Sequence, residues 1–203
     1  LIPVVIGNTD TEKVIPTYVS QIIAGIKHFI AENERTARRM LIRLGMPGPI
    51  DELTFYVLNK YTDKSELPGY LKITEIEDVG LLSEAGVPAI ADPGSEIVSL
   101  AHSKGIKVIP LVGPSSILLA MMASGLNGQN FAFNGYLPVN RQDKIRKIRQ
   151  LESRSQDENQ SQIFMETPYR NNQLMIDLLS VCRKNTMLCI AADISTSNEF
   201  IAT

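Results

Sequence analysis

Cysteine is nearly absent from this chain: Cys182 and Cys189 are the only two among 203 residues. They lack CxxC spacing and read as free thiols of a reducing compartment, not as a disulfide framework. Histidine is as scarce, with His28 and His102 alone, and tryptophan is missing. Without an HExxH pair or a Cys/His cluster, no metal centre is expected. No apolar run reaches the roughly 18 residues that span a bilayer, and no secretory leader is visible. The expectation is therefore a cytoplasmic protein with no membrane partner. The nucleotide-binding fingerprints GxGxxG and GxxxxGK[ST] are also absent, as is the GxSxG elbow of hydrolases. A net charge of −2 argues against a uniformly basic nucleic-acid binder but leaves room for a local basic patch.

What is present is an ordinary globular composition, 44% apolar and 21% charged, long enough for one large or two small α/β domains. Apolar runs at 2–6, 28–32, 54–58, 79–83 and 106–111 read as strands. Helical spacing marks residues 14–24 and 34–44, closed by Gly25 and Gly45. Residues 46–50 form a loop, and 59–69 is polar and expected to be mobile. Two further helix starts stand out. Asp92-Pro93 places a capping carboxylate before a first-turn proline, with Gly105 as the stop. Gly113-Pro114-Ser115 opens a helix that stops at Gly125.

Alternating strands and helices predict a mainly parallel sheet in this first part. The break at Asn127-Gly128 is the expected domain boundary, giving domains 1–126 and 127–203. The second carries strands at 131–135, 161–166 and 187–194, a charged helix at 141–156 and an amphipathic helix at 168–182. A short partner strand at 199–202 follows, and this part reads as cut short.

The segments 81–94 (LLSEAGVPAIADPG) and 110–116 (PLVGPSS) each place an apolar strand before a Gly/Pro turn and a helix. Backbone amides at such strand ends hold polar ligands without special side chains. Taken alone, Gly86 and Pro88 are also what any tight turn uses, and Asp92 is more often a cap than a catalyst.

The motifs in order carry a resemblance. SEAGVPAIADPG at 83–94 resembles the SDAGTPxISDPG signature of the tetrapyrrole methylase superfamily, and PLVGPSS resembles its PxPGPSA loop. Ile6-Gly7-Asn8 is similar to its PIGN turn, AENER at 31–35 to AEDTR, 133–138 to FxGFLP, and FMETPYR at 164–170 to FYESPHR. Within the superfamily, the branch acting on small-subunit ribosomal RNA is the nearest in pattern. Glu84 and Val87 depart from it, and residues 58–62 lack its histidines.

The resemblance implies two α/β domains, a parallel sheet in the first and a mixed sheet in the second, with S-adenosylmethionine bound folded between them. It implies 2′-O-methylation of a cytidine in small-subunit RNA and a homodimer. A precorrin-type acceptor, or a non-catalytic RNA- or ribosome-binding relative, are the alternatives. The implied cofactor contacts are Gly7, Ala85, Gly86, Pro88, Ile90, Asp92, Leu111, Gly113 and Pro114, with Ser115 and Ser116 for the carboxylate. Met165, Glu166, Ala191 and Ala192 are assigned to adenine. Methyl transfer from a sulfonium needs alignment and a proton acceptor, not a metal. Glu32 and Glu84, at expected strand ends, are the candidate bases. Glu32 has an alternative reading, a first-turn charge beside Arg35. Arg35, Arg39, Lys60 and Tyr61 are candidate RNA contacts. The basic helix beginning at Arg141 is either a phosphate-binding face or a solvated one.

Overall fold

A computed structural model describes residues 1–203. The chain forms two compact units. The first comprises Leu1–Ser116 with Ser195–Asn198, and the second Ile117–Ile194 with Glu199–Thr203.

In the first unit, strands β1 (His28–Ala31), β2 (Thr54–Val57) and β3 (Val79–Leu81) form a parallel sheet in the order β2-β1-β3. His28 pairs with Thr54 on one side and Val79 on the other, so all three carboxyl ends emerge together. Phe29, buried among Ile2, Val4, Val19, Ile23 and Leu41, anchors one core, and Ile30 with Leu81 and Ile97 anchors another. Each such side chain contributes about 1.5–3 kcal/mol when fully buried. Helix α3 (Glu34–Arg43) starts at Asn33, whose side chain accepts from the Thr36 amide, and its end is marked by Gly45 with φ +81°.

Proline overrules several apolar runs. Residues 2–6 are not a strand: Ile2 makes one parallel bridge to Leu82, Pro3 has no amide to donate, and the Val4 amide bonds to Gly86 O at 2.8 Å. The run 106–111 is likewise no strand. Pro110 interrupts it, and Leu111 donates only to Leu1 O. The helix expected over 14–24 is two, α1 (Thr11–Val14) and α2 (Thr17–Ile23), split at Pro16. Asp92 does not cap the next helix: α5 (Ser95–Ser103) begins after Gly94, at φ +133°, with no side-chain cap. The polar stretch 59–69 is built, not open. Asn59 and Asp63 side chains close turns, and α4 (Leu67–Tyr70) buries Leu67.

Helix α6 (Ser116–Ala123) begins where the first unit gives way to the second. The second unit pairs β4 (Phe131–Tyr136) with β5 (Ser161–Met165) in parallel, and β6 (Ile190–Ala192) with β7 (Phe200–Ala202) antiparallel, as two separate ladders. Helices α7 (Arg141–Asp157) and α8 (Asn171–Val181) pack through Leu137, Ile148, Leu151, Leu174 and Leu178. The helix expected to start at Pro168 opens with a 3₁₀ turn, Pro168–Arg170, because the proline suits a first turn.

Candidate functional site

The parallel register places three chain segments side by side where the first unit's strands end. Leu58 donates to Ala31 O at 2.8 Å and Leu82 to Ile30 O at 2.9 Å, so Asn59, Glu32 and Ser83-Glu84 follow one another across the sheet edge, with Glu32 in the middle. The Gly86 turn is tied down by Val4 N and by the Ser83 hydroxyl, which donates to Gly86 O at 3.3 Å.

Gly86 sits at φ +71°, and a Cβ there would lie 3.1 Å from Pro114 O and 3.7 Å from Ile6 Cγ1. The Ile6-Gly7 turn, the 83–94 loop and the 111–116 loop therefore touch one another. Gly113 is packed against Pro3: a Cβ would fall 2.1 Å from Pro3 Cβ. Its missing side chain serves this internal contact, a signal the sequence motif did not separate from close approach to a ligand. Pro88 and Pro114 are buried, while Gly7, Ala85 and Ile90 are exposed. Val112 donates its amide to the Tyr18 hydroxyl at 2.9 Å, which fixes the loop beside Leu111. Ala89 and Ala91 hold left-handed backbone, φ 66° and 63°, which non-glycine residues adopt at a cost.

Three carboxylates belong to this edge. Burial pushes the Glu84 carboxyl above its ordinary range, the charges of Glu32 and Asp92 add to the rise, and a hydrogen bond from Thr36 opposes it. Burial also raises Asp92, followed by the charge of Glu32. Thr36 is thus a member of the group that sequence reading did not assign to it, while Asp92, a cofactor contact by resemblance, stands here as a third carboxylate beside Glu32 and Glu84. The crevice between Glu32, Leu58, Ser83 and Pro93 is too narrow for a water molecule. A larger hollow, about 560 Å³, lies between Lys64, Leu67, Glu96 and Ser99, open and bridged by the Lys64–Glu96 ion pair at 2.6 Å.

The basic residues divide by partner. On α3, Arg38 pairs with Glu34 at 2.8 Å and lies over the Phe55 ring, and Arg43 donates to Thr9 O. Arg35 and Arg39 are exposed and carry no ion pair. Lys60 stands 4.8 Å over the ring of Tyr61, itself 82% exposed.

The α7 set is largely spent internally. Lys144, a candidate phosphate contact by sequence, is buried against Asp177 at 3.0 Å, and Arg141 reaches the same carboxylate. Arg146 and Arg154 pair with Asp143 and Glu158. Burial works to raise the Asp177 carboxyl, but hydrogen bonds from Lys144, Arg141 and Gln173 outweigh it and hold it low. Also in the second unit, Met165 ends β5 and Ala191-Ala192 lie in β6, on different ladders. Glu166 is turned inward, its Oε1 accepting from the Thr167 amide and pairing with Arg170 at 2.6 Å. No group of histidine, cysteine or carboxylate side chains is arranged to hold a metal ion, and no helix is long and apolar enough to cross a membrane.

The chain matches no protein-family model. It is similar to the ribosomal RNA small subunit methyltransferase I of Vibrio cholerae, 27% identical over 99% of this chain and 66% of that one. The protein of the same name from Halalkalibacterium halodurans is 34% identical over 77% of this chain and 54% of its own length. This chain spans just under two thirds of the curated relatives that cover it most fully, 66% in the Vibrio and Escherichia coli O157:H7 proteins. Among solved structures, the methyltransferase CobJ superposes with a TM-score of 0.60 at 14% identity, covering 94% of this chain and 80% of that one. That likeness speaks for the fold. Over nearly all of its own length the chain is thus similar to ribosomal RNA small subunit methyltransferases I, and it shares the fold of the methyltransferase CobJ.

Proposed function

We propose that the chain is the methyl-transfer portion of an S-adenosylmethionine-dependent methyltransferase acting on a ribose hydroxyl of small-subunit ribosomal RNA, in the cytoplasm and as a homodimer. The observation that carries it is the joining of three motif loops at the carboxyl ends of a parallel sheet, with Gly86 against Pro114 as the seam. Such strand ends are where open α/β folds bind ligands. The residues present suit the cofactor: a sulfonium is a cation carried on carbon chains, and this edge offers the apolar surfaces of exposed Ile90 and Val112 together with the carboxylates of Glu32, Glu84 and Asp92. When bound, S-adenosylmethionine supplies an electrophilic methyl group.

The protein's own work is positioning and proton handling. Ala85, Gly86 and Leu111–Gly113 present backbone carbonyls and amides at a fixed place, because both loops are tied to residues 1–6. Burial among like charges makes ionised Glu84 a stronger base than a free carboxylate, suited to accept the hydroxyl proton at its carboxylate oxygen. Glu32 and Asp92 hold that proton affinity up. Exposed Arg35 and Arg39, with Lys60 beside Tyr61, supply cations and an aromatic face for the acceptor strand.

Calorimetry with S-adenosylmethionine and labelled-methyl incorporation into undermethylated small ribosomal subunits test this reading. Binding plus incorporation supports it. Incorporation into a precorrin instead moves the acceptor to a tetrapyrrole. RNA affinity with no cofactor heat makes the chain a non-catalytic binder.

A further inference from the structure

Tyr169 is 83% exposed, the most exposed aromatic ring in the chain. A lone exposed ring is ordinary on a protein surface, and what sets this one apart is the group held beside it. It stands in the 3₁₀ turn Pro168–Arg170, where the Arg170 guanidinium lies 5.5 Å from the ring centroid. Arg170 is not a loose surface cation. Its Nη2 pairs with Glu166 Oε1 at 2.6 Å, and its Nε donates to Thr167 Oγ1 at 3.1 Å. Thr167 in turn donates its amide to the same Glu166 oxygen at 2.8 Å.

The Glu166 side chain is only 4% exposed, and its Oε2 has no hydrogen-bond partner. A buried carboxylate held by one cation cannot release it without being left as an uncompensated charge. The guanidinium plane is therefore fixed, and with it the cationic side of the Tyr169 ring. Arg170 keeps Nη1 uncommitted, and Asn171 and Asn172, both exposed, follow directly in the chain.

We propose that Tyr169 is a stacking platform for an unpaired nucleobase of the RNA acceptor, with Arg170 as its fixed cationic flank. This rests on the RNA-acceptor reading above and adds a recognition residue to it. An exposed tyrosine has only two side-chain torsions to lose on binding. Every base has a π-face, so the ledge favours single strands over duplex, whose bases are already stacked. A neighbouring guanidinium suits the adjoining phosphate as well as the base plane.

The test is binding of the full chain to a single-stranded oligonucleotide of small-subunit sequence carrying 2-aminopurine, followed across a salt series. Tyr169→Ala is expected to weaken binding about 5- to 150-fold, the range of one lost base stack, and to abolish the stacking quench. Its salt slope stays that of the parent, because no phosphate contact is lost. Tyr169→Phe stays within about twofold, since the π-face remains. Arg170→Ala lowers the salt slope by about 0.7, one phosphate on a single strand. Unchanged RNA affinity in Tyr169→Ala overturns the inference. A Tyr169→Phe variant as weak as Tyr169→Ala overturns it too, since the hydroxyl and not the ring would then be read. A parent chain with cofactor heat but no RNA affinity overturns the RNA reading and the platform together, while leaving the methyltransferase assignment standing.

Discussion

Gly113→Ala is the sharpest probe of how the candidate site is built. The new methyl group would sit 2.1 Å from Pro3 Cβ and 2.5 Å from Pro3 Cγ, where carbon atoms settle at about 3.5–4.0 Å. Pro3 is fully buried and its ring has no alternative rotamer, so relief must come from backbone movement of more than 1 Å, about the shortfall between those two separations. Overpacking of this kind costs about 1–3 kcal/mol, occasionally more. At about 2–4 °C per kcal/mol for a chain of this size, the expected loss is about 2–12 °C in Tm. The displacement is not confined to Gly113. Val4, next to Pro3, donates to Gly86 O at 2.8 Å, so pushing Pro3 also moves the 83–94 loop. Cofactor affinity should fall with stability. The assay is thermal unfolding of Gly113→Ala, Pro3→Gly and the double variant, with and without S-adenosylhomocysteine. Removing the Pro3 side chain opens the space, so the double variant should be more stable than the sum of the singles by about 1–2 kcal/mol. Additive losses, or a Gly113→Ala Tm within 1 °C of the parent, as for a typical surface change of about 0.5 kcal/mol or less, would refute the steric account.

Other perturbations separate structural from functional charges. Lys144→Met leaves the fully buried Asp177 with Arg141 and Gln173 alone, and should cost about 3 kcal/mol in denaturant unfolding. Lys144→Met with Asp177→Leu should recover most of it, because an apolar pair replaces the ions. Because the fold holds the Asp177 carboxyl low, its stabilisation is present above the ordinary carboxylate range and drains away as pH falls through the depressed value. Glu84 has the opposite sign. Its raised carboxyl favours the folded state once protonated, so stability gained from it is lost as pH rises through the raised value. Glu84→Gln should then melt higher than the parent at neutral pH, match it in acid, and lose methyl transfer. A melting difference that is flat across pH would sink that assignment. Arg35→Ala and Arg39→Ala should each lower the salt slope of RNA binding by about 0.7 with little change in Tm. Arg38→Ala should instead destabilise, since it breaks the Glu34 pair and uncovers Phe55.

The elements readable in advance are those whose signals are local. Residues 29–31 and 54–57 are apolar, aromatic or β-branched and lie in β1 and β2, and Asn33 and Gly45 bracket α3 through a side-chain cap and a left-handed stop. Reading failed where hydrophobicity and proline compete. Residues 2–6 and 106–111 have strand composition, yet Pro3 and Pro110 remove amides that a ladder requires. Pro16 splits a continuous helical pattern for the same reason. The pairing of Lys144 with Asp177 spans 33 positions, and no local pattern distinguishes Lys144 from its solvated neighbours.

The order of motifs along the chain was enough to identify the fold and the loops belonging to the candidate site, because turns and strand ends are encoded by residues a few positions apart. Which glycine is spared for Pro3, which cations remain open at Arg35 and Arg39, and which carboxylates crowd Glu84 were decided only by tertiary packing. The physical reason is range. Backbone geometry is set by neighbours in sequence, whereas desolvation, ion pairing and steric contact depend on neighbours in space.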